Sequence, residues 1–113
     1  MIAGASLNTS MALLSPTSAL KLILAEASPE QKSRYVNGLL SGEYNATIVL
    51  SEPQAGSDLR LIRTMAKPTE DGKWLIEGGK IFCSNADHDM SQNILHCVLA
   101  RTEGAPDGAK GLS

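Results

Sequence analysis

Leu50-Ser51-Glu52-Pro53-Gln54-Ala55-Gly56-Ser57-Asp58 closes a short apolar run, residues 46–50, and decides how the chain is read. Pro53 pushes Glu52 toward extended geometry and, lacking an N–H, stiffens the turn that follows. Ala55, Gly56 and Ser57 carry small side chains, so their backbone N–H groups and the Ser57 hydroxyl can approach a ligand closely. A nest of such groups suits a phosphate-like anion. The same residues are also ordinary turn chemistry, since Gly, Ser and Asp recur in strand connections for purely local reasons. Some twenty residues later, Gly79-Lys80-Ile81-Phe82-Cys83-Ser84 leaves a Gly-Gly pair and ends on a small hydroxyl residue. The two segments read as loops that converge on one ligand.

Upstream of residue 42 the periodicity is helical. Leu7, Met11 and Leu14 lie at helical spacing, and Ser15-Pro16 is read as the end of one helix and the start of the next. Leu20, Ile23, Leu24 and Ala27 form one apolar stripe. Ser28-Pro29-Glu30-Gln31 predicts a capping box opening a third helix, with Tyr35, Val36, Leu39 and Leu40 on its buried face and Gly42 ending it. Downstream, residues 46–50, 73–77, 80–84 and 93–101 read as strands, residues 61–67 alternate loosely, and Gly78-Gly79 reads as a two-residue hairpin turn. The expected fold class is α+β, helices followed by an antiparallel, β-barrel-like sheet. The change of pattern sets a helical domain at 1–44 and a β-domain at 45–113. Three short helices bury little, and the sheet stops as another strand falls due, so the chain reads as a piece of a larger protein.

The 113 residues are 42% apolar and 19% charged, with a net charge of −2. That composition is ordinary for a globular domain and gives no electrostatic case for nucleic acid or an anionic membrane. No stretch has the ~20 apolar residues of a membrane span. Residues 1–19 contain no Lys or Arg, unlike the charged opening of a secretory signal. Cys83 and Cys97 lack metal spacing and point to a reducing compartment, with the cytoplasm as the expected location. Asp87-His88-Asp89 cannot easily converge on one ion and reads as a solvated loop, so no metal site is assigned. His96, among Ile94, Leu95, Val98 and Leu99, reads as a satisfied strand histidine. Ser51, Ser57 and Ser84 have no His-Asp partner nearby in sequence, which leaves a hydrolase triad little support.

Ser51-Glu52-Pro53-Gln54-Ala55-Gly56-Ser57-Asp58 resembles the Thr/Ser-Glu-Pro-x-Ala-Gly-Ser-Asp signature of acyl-CoA dehydrogenases. Residues 29–43 resemble the last N-terminal helix of that family, and residues 72–84 its hairpin leading to the flavin. His88-Asp89, Asn93-Ile94 and residues 96–101 look most like the bacterial branch that includes 3-methylmercaptopropionyl-CoA dehydrogenase. The resemblance implies a partial acyl-CoA dehydrogenase fold and FAD-dependent α,β-dehydrogenation of an acyl-CoA in fatty acid metabolism. It implies that Leu50 and Ser51 bond the pyrimidine side of the flavin. Gly56 and Ser57 would lie near the FAD pyrophosphate, Ser57 also near the substrate's CoA portion. Phe82 and Cys83 would lie against the ring system and Ser84 near N5. The family often has Thr at the positions of Ser51 and Ser84, and Trp at that of Phe82; the hydroxyls and the aromatic face are kept, the indole donor is not.

The family's catalytic base is a Glu from a C-terminal helical domain, and no residue of this chain is assigned to it. Glu52 is held before Pro53, and Asp58 reads as a turn or cap residue. These residues alone are therefore expected to be inactive. The implied partners are an acyl-CoA, an electron-transfer flavoprotein-type acceptor and further copies of the full-length chain as a homo-oligomer. Two alternatives remain at this stage. One is a flavin-binding relative with other chemistry, an acyl-CoA oxidase or a flavin monooxygenase; the other is a non-catalytic remnant acting as an interaction module.

Overall fold

The computed structural model describes residue 4 and residues 6–113; residues 1–3 and 5, which open the expected helical domain and the stretch inspected for a leader, lie outside them. The chain forms two compact units, one of residues up to 48 with 84–97, the other of residues 49–83 with 98–113.

In the first unit, helix α1 spans Leu7–Glu26. The Ser6 hydroxyl caps it by accepting from Thr9 N–H at 3.3 Å. The break expected at Ser15-Pro16 is absent, and α1 runs through Pro16. An interior proline forfeits one helical hydrogen bond and crowds the preceding turn. Burial of Ser10 upstream and of Ala19 and Ile23 downstream holds both halves in one helix, because tertiary packing of a face outweighs local propensity. Leu24, placed on the inner stripe by spacing, is exposed; Ala19 is the core residue instead.

Helix α2, Pro29–Ser41, starts with the expected reciprocal box. Gln31 N–H donates to the Ser28 hydroxyl at 3.3 Å, and Ser28 N–H donates to the Gln31 amide oxygen at 2.9 Å. Gly42 ends the helix in the left-handed region at φ 80°, as its position implied. Ser28→Ala is expected to cost about 1 kcal/mol of stability, read from the midpoint of urea unfolding. Leu39 is buried, but Leu40, expected beside it, is exposed.

Strand β1, Tyr44–Val49, begins two residues earlier than expected. The core of this unit joins Ala19, Ile23, Leu39 and Ala46, with Tyr35, Val36, Tyr44, Leu95 and Cys97 against them. Within α2, position 38 is held to glycine because the Tyr44 ring lies where a Cβ would be, with Cε2 2.7 Å from that point.

In the second unit, β2 (Met65–Pro68) pairs antiparallel with β3 (Trp74–Glu77) in the register Met65↔Glu77 to Pro68↔Trp74. Their turn is Thr69–Gly72, closed by Gly72 N–H to Thr69 C=O at 3.1 Å with Gly72 at φ 75°. The hairpin expected at Gly78-Gly79 is therefore displaced to Asp71-Gly72, and residues 80–84 are not a strand. Gly78 serves another need, since it lies against Thr64, and its Cβ would fall 2.7 Å from Thr64 Cα.

The expected strand 93–101 is two, β4 (Asn93–Val98) and β5 (Arg101–Thr102). β1 pairs with β4, while the other sheet has the order β3-β2-β5. The α+β class and partial-fold expectation hold, with two helices and two small sheets among the described residues in place of three helices and one antiparallel sheet. β2 and β5 pair in parallel, Met65↔Arg101 and Ala66↔Thr102. The long connection between them makes that possible, because parallel neighbours need a crossover. Among the described residues no helix is long and apolar enough to cross a membrane.

Candidate functional site

The site begins where β1 ends. Glu52 and Ala55 form a reciprocal pair, each N–H donating to the other's C=O at 3.0 Å, with Pro53-Gln54 at the tip. Val49, Ala55, Ile62 and Ala100 are the buried apolar residues of this unit, so the turn rests on packed side chains at both ends.

Glu52 is 3% exposed and anchors the turn. Its Oε1 accepts from the Thr64 hydroxyl at 2.6 Å, Thr64 N–H at 2.9 Å and Lys80 Nζ at 3.0 Å. Its Oε2 accepts from Arg63 N–H at 2.8 Å and from the Gln54 amide. Burial alone would raise the pKa of this carboxyl. The Thr64 hydroxyl, the Arg63 and Thr64 N–H groups and the Lys80 ammonium outweigh it and hold Glu52 well below the usual carboxylate range. Such a group is permanently ionised near neutrality and is no base.

Asp58 caps the 3-10 turn Leu59–Leu61, accepting from Arg60 N–H at 3.1 Å. Its ion pair with Arg60 at 2.8 Å is solvent-exposed and contributes little. The cap role expected for Asp58 is the one found.

The second loop lies along the first. Ile81 N–H donates to Ser51 C=O at 2.9 Å, and Lys80 Nζ reaches Leu50 C=O at 2.9 Å. Directly after this clamp, Phe82 takes φ 58° with its side chain 90% exposed. A left-handed aromatic residue costs about 1–3 kcal/mol, a strain that concentrates at binding sites.

Of the residues singled out in the sequence, Leu50, Ser51 and Phe82 are thus brought together by the bonds of two adjacent segments. Gly56 and Ser57 are exposed beyond the Glu52–Ala55 pair, with nothing within 4 Å of a Cβ placed on Gly56. Cys83 is a half-buried free thiol, and Ser84 is exposed in the first unit. Among the described residues, the N–H groups of Ser51, Gly56 and Ser57 and the hydroxyls of Ser51, Ser57 and Ser84 donate to no protein acceptor. Within the second unit, the Ser51 donors and the exposed Phe82 ring, held on adjacent segments, fit a ligand that is aromatic and carries hydrogen-bond acceptors.

Lys80, Thr64 and Arg63 escaped the sequence reading. The available signal was two opposite charges, Glu52 and Lys80, each beside apolar residues. His88 does not join the site; its Nδ1 accepts from Met90 N–H at 3.2 Å. His96 is satisfied in β4, with Nδ1 2.7 Å from the buried Thr47 hydroxyl.

Residues 47–113 match the acyl-CoA dehydrogenase middle domain. Over 95 residues the chain is 46% identical to 3-methylmercaptopropionyl-CoA dehydrogenase of Ruegeria pomeroyi, covering 84% of this chain and 16% of that protein. The solved acyl-CoA dehydrogenase of Geobacillus kaustophilus superposes with a TM-score of 0.69 at 32% identity, over 80% of this chain and 23% of that one. An FAD complex of PigA superposes with a TM-score of 0.62 at 34% identity, over 76% and 21%. The chain thus spans less than a quarter of the length of each of these proteins.

Proposed function

Since the chain belongs to the acyl-CoA dehydrogenase family, we propose that it is the flavin-side segment of an enzyme that oxidises an acyl-CoA between its α and β carbons. Residues 1–44 close an N-terminal helical domain and residues 45–113 open the middle β-domain, a division that the match over 47–113 supports. The carrying observation is the clamped loop pair. Leu50-Ser51 and Ile81-Phe82 are fixed by two hydrogen bonds, and beside them stand unfilled donors and a strained, exposed ring.

FAD, when bound, accepts the hydride that leaves the β carbon. The residues of this chain bind and orient it. Ser51, through its N–H and hydroxyl, and the Leu50 backbone hold the pyrimidine side. Gly56 and Ser57 approach the pyrophosphate, and Ser57 also serves the CoA portion. Phe82 and Cys83 lie on the ring system, and Ser84 places a hydroxyl near N5. The cofactor carries the redox chemistry, while the protein supplies orientation and hydrogen bonds. The substrate is an acyl-CoA and the electron acceptor an electron-transfer flavoprotein; the whole protein is a homo-oligomer. The cytoplasm is the compartment, a placement supported by the two free thiols.

The test is to purify the polypeptide carrying these residues and add an acyl-CoA without oxygen. FAD should co-purify and its visible absorbance should bleach, and Phe82→Ala should weaken FAD binding roughly tenfold. Absence of FAD, or FAD that no acyl-CoA bleaches, would overturn the reading. Rapid reoxidation of the reduced flavin by O2 would indicate an oxidase instead.

A further inference from the structure

We propose that Lys80 is a positioning residue for the bound flavin: it turns the Leu50–Ser51 peptide so that Ser51 N–H faces the cofactor. The inference rests on the flavin reading above. The Lys80 side chain is 11% exposed. Its ammonium divides between Glu52 Oε1 at 3.0 Å and Leu50 C=O at 2.9 Å. The buried ammonium must satisfy its N–H donors, and taking Leu50 C=O as one of the acceptors fixes the orientation of that peptide.

The carbonyl bond has a directional consequence. All described peptide bonds are trans, and in a planar trans peptide C=O and N–H point in opposite directions. Drawing Leu50 C=O toward Lys80 therefore aims Ser51 N–H away from it. The next peptide is locked too, because Ser51 C=O accepts from Ile81 N–H at 2.9 Å and Glu52 N–H donates to Ala55 C=O at 3.0 Å. Of the two N–H groups in these peptides, only that of Ser51 lacks a protein acceptor among the described residues. The charged Lys80 contact is thus a switch-free brace that presents one donor.

A donor at the pyrimidine side meets more negative charge when the flavin is reduced than when it is oxidised. Hydrogen bonds to charged acceptors are the stronger ones, so Ser51 N–H binds reduced flavin more tightly and raises the midpoint potential. Lys80 acts through this peptide and touches no reacting atom.

The experiment measures FAD affinity and midpoint potential in the polypeptide carrying these residues. With Lys80→Met, oxidised FAD should bind about tenfold more weakly and reduced FAD about a hundredfold more weakly. The extra tenfold corresponds to a fall of about 30 mV in the two-electron potential. Lys80→Met also leaves the Glu52 charge buried without its partner and can fail to fold. The double variant Glu52→Gln with Lys80→Met removes both charges together, and it should show the same fall in potential. A folded double variant with wild-type FAD affinity and potential, changed only in melting temperature, would make Lys80 purely structural and overturn the proposal. A wild-type polypeptide that takes up no FAD would overturn this inference and the functional reading together.

Discussion

Glu52→Ala is expected to destabilise the protein by about 3–5 kcal/mol, the range for removing one member of a buried charged pair. The substitution leaves Lys80 Nζ without its carboxylate and strips the Thr64 hydroxyl, Thr64 N–H and Arg63 N–H of their acceptor. Each abandoned donor carries its own desolvation cost. Chemical denaturation should show the loss as a lower midpoint at unchanged slope. A cost below about 1 kcal/mol would mean that water replaces the carboxylate freely.

The same carboxyl sets the acid limb of stability. Its folded pKa lies below the ordinary 4.5, so the stabilisation is fully present above pH 4.5 and is lost as pH falls toward the depressed folded value. Glu52→Gln removes that titration, and its stability should fall less steeply over this acid window than that of the wild type.

Gly78→Ala is expected to cost about 1–3 kcal/mol, and Gly78→Val more, because any Cβ there overpacks against backbone. The added carbon would fall 2.7 Å from Thr64 Cα and closer still to Thr64 Oγ1. Thr64 is 2% exposed and cannot swing into solvent. It yields by shifting, which loosens its two bonds to Glu52. The substitution is therefore coupled to Glu52, and the double variant Glu52→Ala with Gly78→Ala should cost less than the sum of the singles. Additivity in thermal or urea unfolding would show that Thr64 does not transmit the strain.

Features decided within a few neighbouring residues were legible in the sequence. The Ser28–Gln31 box, the Gly42 stop and the Asp58 cap all appear where the residues implied, since a cap needs only one side chain and the next turn of backbone. Pro16 was misread for a complementary reason. Its local cost is real, but the burial that overrides it comes from α2 and β1. Gly78 was misread because close approach and tight turning both call for glycine. Only the partner, Thr64 rather than a returning strand, distinguishes them.

The sequence by itself determined the α-then-β order, the capped ends of α2 and the two segments that carry the candidate site. These follow from periodicity and from side chains acting on adjacent backbone. Only the tertiary structure decided that Lys80 spans from Glu52 to Leu50 C=O, that Arg63 and Thr64 complete the carboxylate's shell, and that β5 joins β2 in parallel. Each of these is a contact between residues far apart in the chain, and no local pattern specifies it. It exists because folding buries a charge that must then find every partner it needs.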